Sequence, residues 1–160
     1  MIGIYQQKTL DLFKLAEKAI KEAFRHNALH LGYISLPENS YNPLRQQYDA
    51  AVILNYVAGK NDPHNVHKLC LVNVDIYAQN MNFIFGLANP LRKAAVVSTF
   101  RLVGDRKEER ISKEIVHEIG HLFGLTHCLN RDCIMRFSKT VKDTDEKKKI
   151  FCADCRSKIE

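Results

Sequence analysis

HEIGHLFGLTHC, residues 117–128, holds three of the chain's seven histidines, with a glutamate between the first two. The spacing predicts one long helix that starts near Asp105 and stops at Gly124, where a left-handed residue can turn the chain back. Glu108 and Glu109 suit its first turns, because the helix N-terminus favours anions. With Ile111 at zero on a helical wheel, Ile115, Ile119 and Leu122 fall at roughly 40°, 80° and 20°. They form a buried stripe, with Val116 and Phe123 beside it. His117 and His121 fall at roughly 240° and 280°, away from that stripe and stacked one turn apart. Two imidazoles at i and i+4 can grip one metal ion without bending the helix. Glu118, at about 340°, is placed to hold a water at the metal rather than to bind the metal itself. The turn at Gly124 brings His127 round as a third ligand. Three protein ligands leave one zinc position open, the pattern of catalytic rather than structural sites. The expected chemistry is hydrolysis by a zinc-activated water, with Glu118 as general base.

Upstream, residues 1–5 read as a short strand and residues 9–26 as an amphipathic helix, with Leu12, Phe13, Ala16, Ile20, Ala23 and Phe24 at helical spacing. Residues 30–37 read as a strand ending at Pro37. Asn42-Pro43 looks like a cap with proline at the first helical position, so residues 44–58 are expected to be a largely covered helix ending at Gly59, with a strand as the alternative. Residues 68–77, 82–88 and 94–100 read as strands. The middle one is the candidate edge strand, since Gly86 weakens it and its asparagines suit an exposed rim. A last helix is expected from Asp143 toward the C-terminus. This order predicts an α+β fold in a single domain over residues 1–160.

Composition narrows the function classes. At 46% apolar residues the chain is globular, and no apolar run approaches the roughly 20 residues needed to cross a bilayer. The start, MIGIYQQ, lacks the features of a signal peptide, which points to a cytoplasmic protein. The net charge of +6 permits contact with nucleic acid but does not require it. Lys147, Lys148 and Lys149 follow Asp143, Asp145 and Glu146, so this run is expected to be a solvated helix face. His64 and His67 lie in a turn-like stretch without a carboxylate or cysteine neighbour and read as loop residues. Cys70, inside LCLVNVDIY, reads as a small buried hydrophobe.

HEIGHLFGLTHC, continuing as LNRDCIM and later CADC, resembles the archaemetzincin family of zinc peptidases. The resemblance extends upstream to YNPLRQQY (residues 41–48), VDIY (74–77) and NFIFGLA (82–88), and so covers most of the chain. It implies a compact metzincin-like zincin domain with a mixed twisted sheet, acting on a peptide or protein substrate as a monomer away from membranes. Residues 1–124 would supply the sheet and active-site helix. Met135 would be the methionine of the turn beneath the catalytic zinc. Asn82, Phe83, Ile84, Phe85 and Gly86 would lie on the edge strand along which an extended substrate pairs. Related metzincin families carry a metal-reaching tyrosine two residues after that methionine. Here the position is Phe137, so no fifth protein ligand is expected.

Cys128, Cys133, Cys152 and Cys155 have C-x4-C and C-x2-C spacings, each able to pinch a tetrahedral metal. Four thiolates with no open position make a structural zinc site, which would tie down the C-terminal helix within residues 125–160 and brace His127. The expected complement is therefore two Zn2+ ions. Free thiols are the alternative, and a reducing compartment disfavours disulfides. Two competing functions stay open. One is a zinc-dependent endoribonuclease of the rRNA-maturation type, which carries a similar HxxxHxxGxxH helix. The other is a metal-stabilised binding module with a restricted cleft.

Overall fold

Three apolar runs, IGIYQ, HKLCLV and AAVVS, form the middle of a five-stranded sheet in the computed structural model, which describes residues 1–160. In chain order the elements are β1 (Ile2–Gln6), α1 (Phe13–Phe24), β2 (Ala28–Tyr33), β3 (Tyr41–Asn42), β4 (Gln47–Asp49), α2 (Ala50–Ala58), β5 (His67–Val72), β6 (Ile76–Tyr77), β7 (Gly86–Asn89), β8 (Ala94–Ser98), α3 (Lys107–Leu122), α4 (Val141–Glu146) and α5 (Ala153–Ser157). The main sheet runs β2-β1-β5-β8-β7, parallel except for β7. A small second sheet runs β3-β4-β6.

Helices cover both faces of the main sheet, so its central strands read as near-continuous apolar runs. The two-residue strand period sorts their side chains. Leu69, Leu71, Ala95 and Val97 join the larger core beneath α1 and α3, while Cys70, Val72 and Val96 join the smaller core beneath α2. Cys70 is fully buried as expected, and burial pushes its thiol up to about 12. The result is the expected α+β fold with mixed sheets. No helix is long and apolar enough to cross a membrane.

Several elements differ from the sequence expectation. Asn42-Pro43 caps no helix. The Asn42 side chain instead accepts from the backbone N–H of Leu44 at 3.1 Å and of Arg45 at 3.4 Å, closing the β3–β4 turn. The helix starts at Ala50, capped by Asp49, whose side chain accepts from the Ala51 N–H at 2.9 Å. Asn-Pro serves turns as readily as helix starts, and the long-range pairing of β4 with β6 decides between them. The expected strand over 68–77 divides between the two sheets, and that over 82–88 bridges the second sheet at Ile84 and enters the main ladder at Gly86. It remains the edge strand. The expected strand over 30–37 is β2, which starts and ends earlier.

The expected C-terminal helix is two short ones, α4 and α5. Thr140 and Asp143 form a capping box at the start of α4. Lys147 then turns inward, correcting the reading of 147–149 as wholly solvated. Its side chain is 0% exposed, pairs with Glu114 Oε1 at 3.2 Å and donates to the carbonyl of Arg136 at 3.2 Å. Glu114 is itself 3% exposed. Removing one partner of a buried pair strands the other charge, so Lys147→Ala is expected to cost about 3–5 kcal/mol. Urea unfolding reads that loss, and adding Glu114→Gln should recover part of it.

Candidate metal centre and cleft

Helix α3 differs from the wheel in one respect that matters for chemistry. Every residue from Ile111 to Gly120 is buried, including His117 at 3% and Glu118 at 5% exposure. The arc away from the apolar stripe faces not solvent but a cleft between α3, β7 and the segment after Met135.

Two carbonyls orient the first two histidines. The His117 Nδ1 lies 2.9 Å from the carbonyl of Ile134, and the His121 Nδ1 lies 2.7 Å from that of Leu125. A carbonyl only accepts, so each Nδ1 carries the proton and each Nε2 keeps its lone pair. Those two Nε2 atoms face each other at 3.1 Å. The turn that supplies the third imidazole forms as the sequence predicts. Gly124, two residues past the helix end, takes φ 90°, and the Leu125 N–H returns to the Gly120 carbonyl at 3.0 Å. It brings the His127 ring centroid to 4.9 Å from that of His121 and 5.3 Å from that of His117.

The donor set fits a zinc ion. One ligand nitrogen from each histidine lies within 4.8 Å of the others. A tetrahedral ion with Zn–N near 2.0–2.1 Å needs donors about 3.4 Å apart. Burial lowers the pKa of all three imidazoles, that of His117 most, which favours the neutral form that ligates metal. Phe137 packs on the His127 ring at 4.9 Å and offers no donor atom.

Glu118 makes no hydrogen bond to any protein group and lines the cleft. Burial pushes its carboxyl well above the usual range, and Glu114 adds to this while Lys147 opposes it. Gly86 explains its position. A Cβ on that residue would stand 2.6 Å from both Cγ and Oε1 of Glu118. The glycine that weakens the edge strand is the space into which the carboxylate packs. Gly120 has a parallel role, since a Cβ there would stand 2.5 Å from the sulfur of Met135. Met135 is fully buried and packs against Gly120, one residue before His121.

Phe83, Ile84, Phe85 and Gly86 line the cleft, whose volume is about 540 Å³. Asn82 does not line it. Its carbonyl accepts from Gln47 Nε2 at 2.8 Å and Arg45 Nη2 at 3.2 Å, which hold this wall from behind. The Arg45 guanidinium stacks on Tyr77, and that of Arg101 stacks on Phe83 while pairing with Asp75 at 2.7 Å. Sequence reasoning missed Gly120, whose only signal is a glycine in a helix interior. It also missed Glu114 and Ser138, which line the cleft and carry no motif.

The four cysteines of the C-terminal third also converge. All are free, and their sulfurs lie within 4.8 Å of one another. The Cys128 and Cys152 sulfurs are 3.8 Å apart, far beyond a disulfide bond and close to the edge of a tetrahedron with Zn–S near 2.3 Å, about 3.8 Å. A backbone N–H from Cys155 lowers the Cys152 thiol to about 7, while burial raises Cys133 and Cys155.

Three imidazoles and a carboxylate beside a sheet edge place the molecule in the class of zinc metallopeptidases. Comparison with known proteins makes the family specific. Residues 29–160 match the model of Peptidase family M54. The archaemetzincin of Nanoarchaeum equitans is 42% identical over 140 residues, covering 88% of this chain and 78% of that protein. The crystal structure of archaemetzincin from Archaeoglobus fulgidus is 36% identical, covers 98% of both chains and superposes with a TM-score of 0.87. That of a zinc-dependent peptidase from Methanocorpusculum labreanum is 26% identical, covers all of both chains and gives 0.90. The chain belongs to Peptidase family M54, the archaemetzincin zinc metallopeptidases.

Proposed function

We propose that this protein hydrolyses peptide bonds at a zinc ion held by His117, His121 and His127, with Glu118 as general base. The observation that carries this reading is the convergence of the imidazole nitrogens next to a carboxylate that no protein group engages. Zinc bound there supplies Lewis acidity toward a water and a substrate carbonyl. The chain's own residues do the rest. Glu118 takes the water's proton and returns it to the leaving amine. The free edge of β7 pairs with the extended substrate, and Phe83 and Phe85 exclude water. Cys128, Cys133, Cys152 and Cys155 hold a second, structural zinc, which fixes the position of His127 through its neighbour Cys128. We read residues 1–160 as one catalytic unit, because Arg156 in α5 donates to the carbonyl of Ala23 in α1 at 2.7 Å.

Glu114 and Glu118 are the carboxylates of the cleft wall, and no lysine or arginine lines it, which suits a peptide better than a phosphodiester. Dialysis against a mild chelator tests the two sites together. Four thiolates hold zinc more tightly than three imidazoles, so peptide-library cleavage should vanish while one zinc per chain remains. Re-addition of zinc should restore it. Loss of both ions in one step would overturn the asymmetry, and cleavage of RNA with peptides left intact would overturn the peptidase reading.

A further inference from the structure

Two polar residues lining the cleft, Glu114 and Ser138, have no part in the hydrolytic chemistry. Ser138 is 8% exposed, lines the cleft, and its buried Oγ has no hydrogen-bond partner. Glu114 lines the same cleft. Its Oε1 is engaged twice, by Lys147 Nζ at 3.2 Å and by Thr144 Oγ1 at 3.1 Å. Its Oε2 has no protein partner. A buried hydroxyl normally finds a partner, and leaving one unpaired is costly. One cleft is thus lined by a residue with an unused hydroxyl and a residue with an unused carboxylate oxygen.

We propose that Glu114 and Ser138 form a specificity subsite for an uncharged substrate side chain that both donates and accepts at its tip, glutamine or tyrosine. The inference rests on the peptidase reading and specifies its substrate. Glu114 lies one turn before Glu118, about 6 Å along the helix axis. A side chain next to the scissile bond spans such a distance, since successive Cα atoms of the substrate are about 3.8 Å apart. The same cleft is lined by apolar Phe83, Phe85, Leu87 and Phe137, which are available to its stem.

Electrostatics selects a neutral tip. The Lys147 ammonium already balances Glu114, so a substrate cation would meet both that ammonium and the metal. A substrate anion would meet Glu114 and Glu118. A side-chain amide instead donates its N–H to Glu114 Oε2 and accepts from Ser138 Oγ. Leucine fills the same space and leaves both groups unpaired, which disfavours it by roughly tenfold or more.

The test uses the zinc-loaded protein, peptides carrying glutamine, tyrosine, leucine or lysine at each position flanking the cleaved bond, and the variant Ser138→Ala. That variant removes a hydroxyl with no protein partner, so folding is preserved. At one flanking position, kcat/KM for glutamine or tyrosine should exceed that for leucine and lysine by about tenfold or more, and Ser138→Ala should shrink the ratio to about threefold or less. Hydroxamates bearing a glutamine or leucine side chain, measured by calorimetry, should show the same ratio in Kd. A preference for leucine or lysine, or a ratio unmoved by Ser138→Ala, overturns the subsite while peptide cleavage leaves the peptidase reading intact. Discrimination among hydroxamates with no peptide cleaved retains the subsite and overturns that reading. Neither discrimination nor cleavage overturns both.

Discussion

Glu118→Gln is expected to lower kcat/KM for peptide hydrolysis by about 10²–10⁴-fold, the range typical of a removed general acid–base group. That corresponds to about 3–5.5 kcal/mol of transition-state stabilisation. Glutamine keeps the shape that packs against Gly86, so the cleft wall stays in place. The three imidazoles are untouched, and the two Nδ1 bonds to the carbonyls of Ile134 and Leu125 still orient His117 and His121. Zinc content should therefore match that of the unsubstituted protein, and the urea midpoint should be unchanged or higher, because glutamine removes a carboxyl that burial disfavours in its charged form. Activity within tenfold of the original at unchanged zinc content would remove Glu118 from the role assigned to it.

Cys155→Ser is expected to act on the fold first and on catalysis second. Cys155 is 5% exposed and packs in the larger core beside Cys133 and Phe151. Without its sulfur the four-thiolate site loses a ligand and one zinc per chain. Even at a free metal concentration a thousand times Kd, a bound ion contributes about 4 kcal/mol to stability. For a domain of this size each kcal/mol shifts Tm by roughly 2–4 °C, so a fall of about 8–16 °C is expected. Calorimetry with metal analysis checks it. The Cys128 N–H donates to the Met135 carbonyl at 3.0 Å, so loosening this segment also disturbs His127 and Met135. A variant that keeps two zinc ions and its Tm would show that the sulfurs meet for another reason.

The readings that held are those that depend on spacing alone. HExxH on a helix, the turn at Gly124 and the return of His127 follow from helical geometry over eleven residues, and the structure reproduces them. The C-x4-C and C-x2-C pairs likewise needed only the chain to fold back for their sulfurs to meet. Readings of single ambiguous signals fared worse. Asn42-Pro43 fits a helix start and a hairpin turn equally, and a strand 35 positions away settles the matter, since Asn42 Nδ2 donates to the Tyr77 hydroxyl at 3.2 Å. Lys147 looked like its neighbours Lys148 and Lys149 in a charged run, yet it alone enters the core.

Local periodicity thus carries the helix, its convergent histidines and the family to which the chain belongs, because these depend on residues within a few turns of one another. The environment of those residues depends on contacts from distant segments. Burial of His117 and Glu118 requires β7 to close over α3, the fit of Glu118 requires the missing side chain of Gly86, and the charge of Glu114 is balanced by a lysine 33 positions later. Desolvation and Coulomb forces act through space rather than along the chain, so tertiary packing sets the chemistry of groups whose identity the local pattern had already made plain.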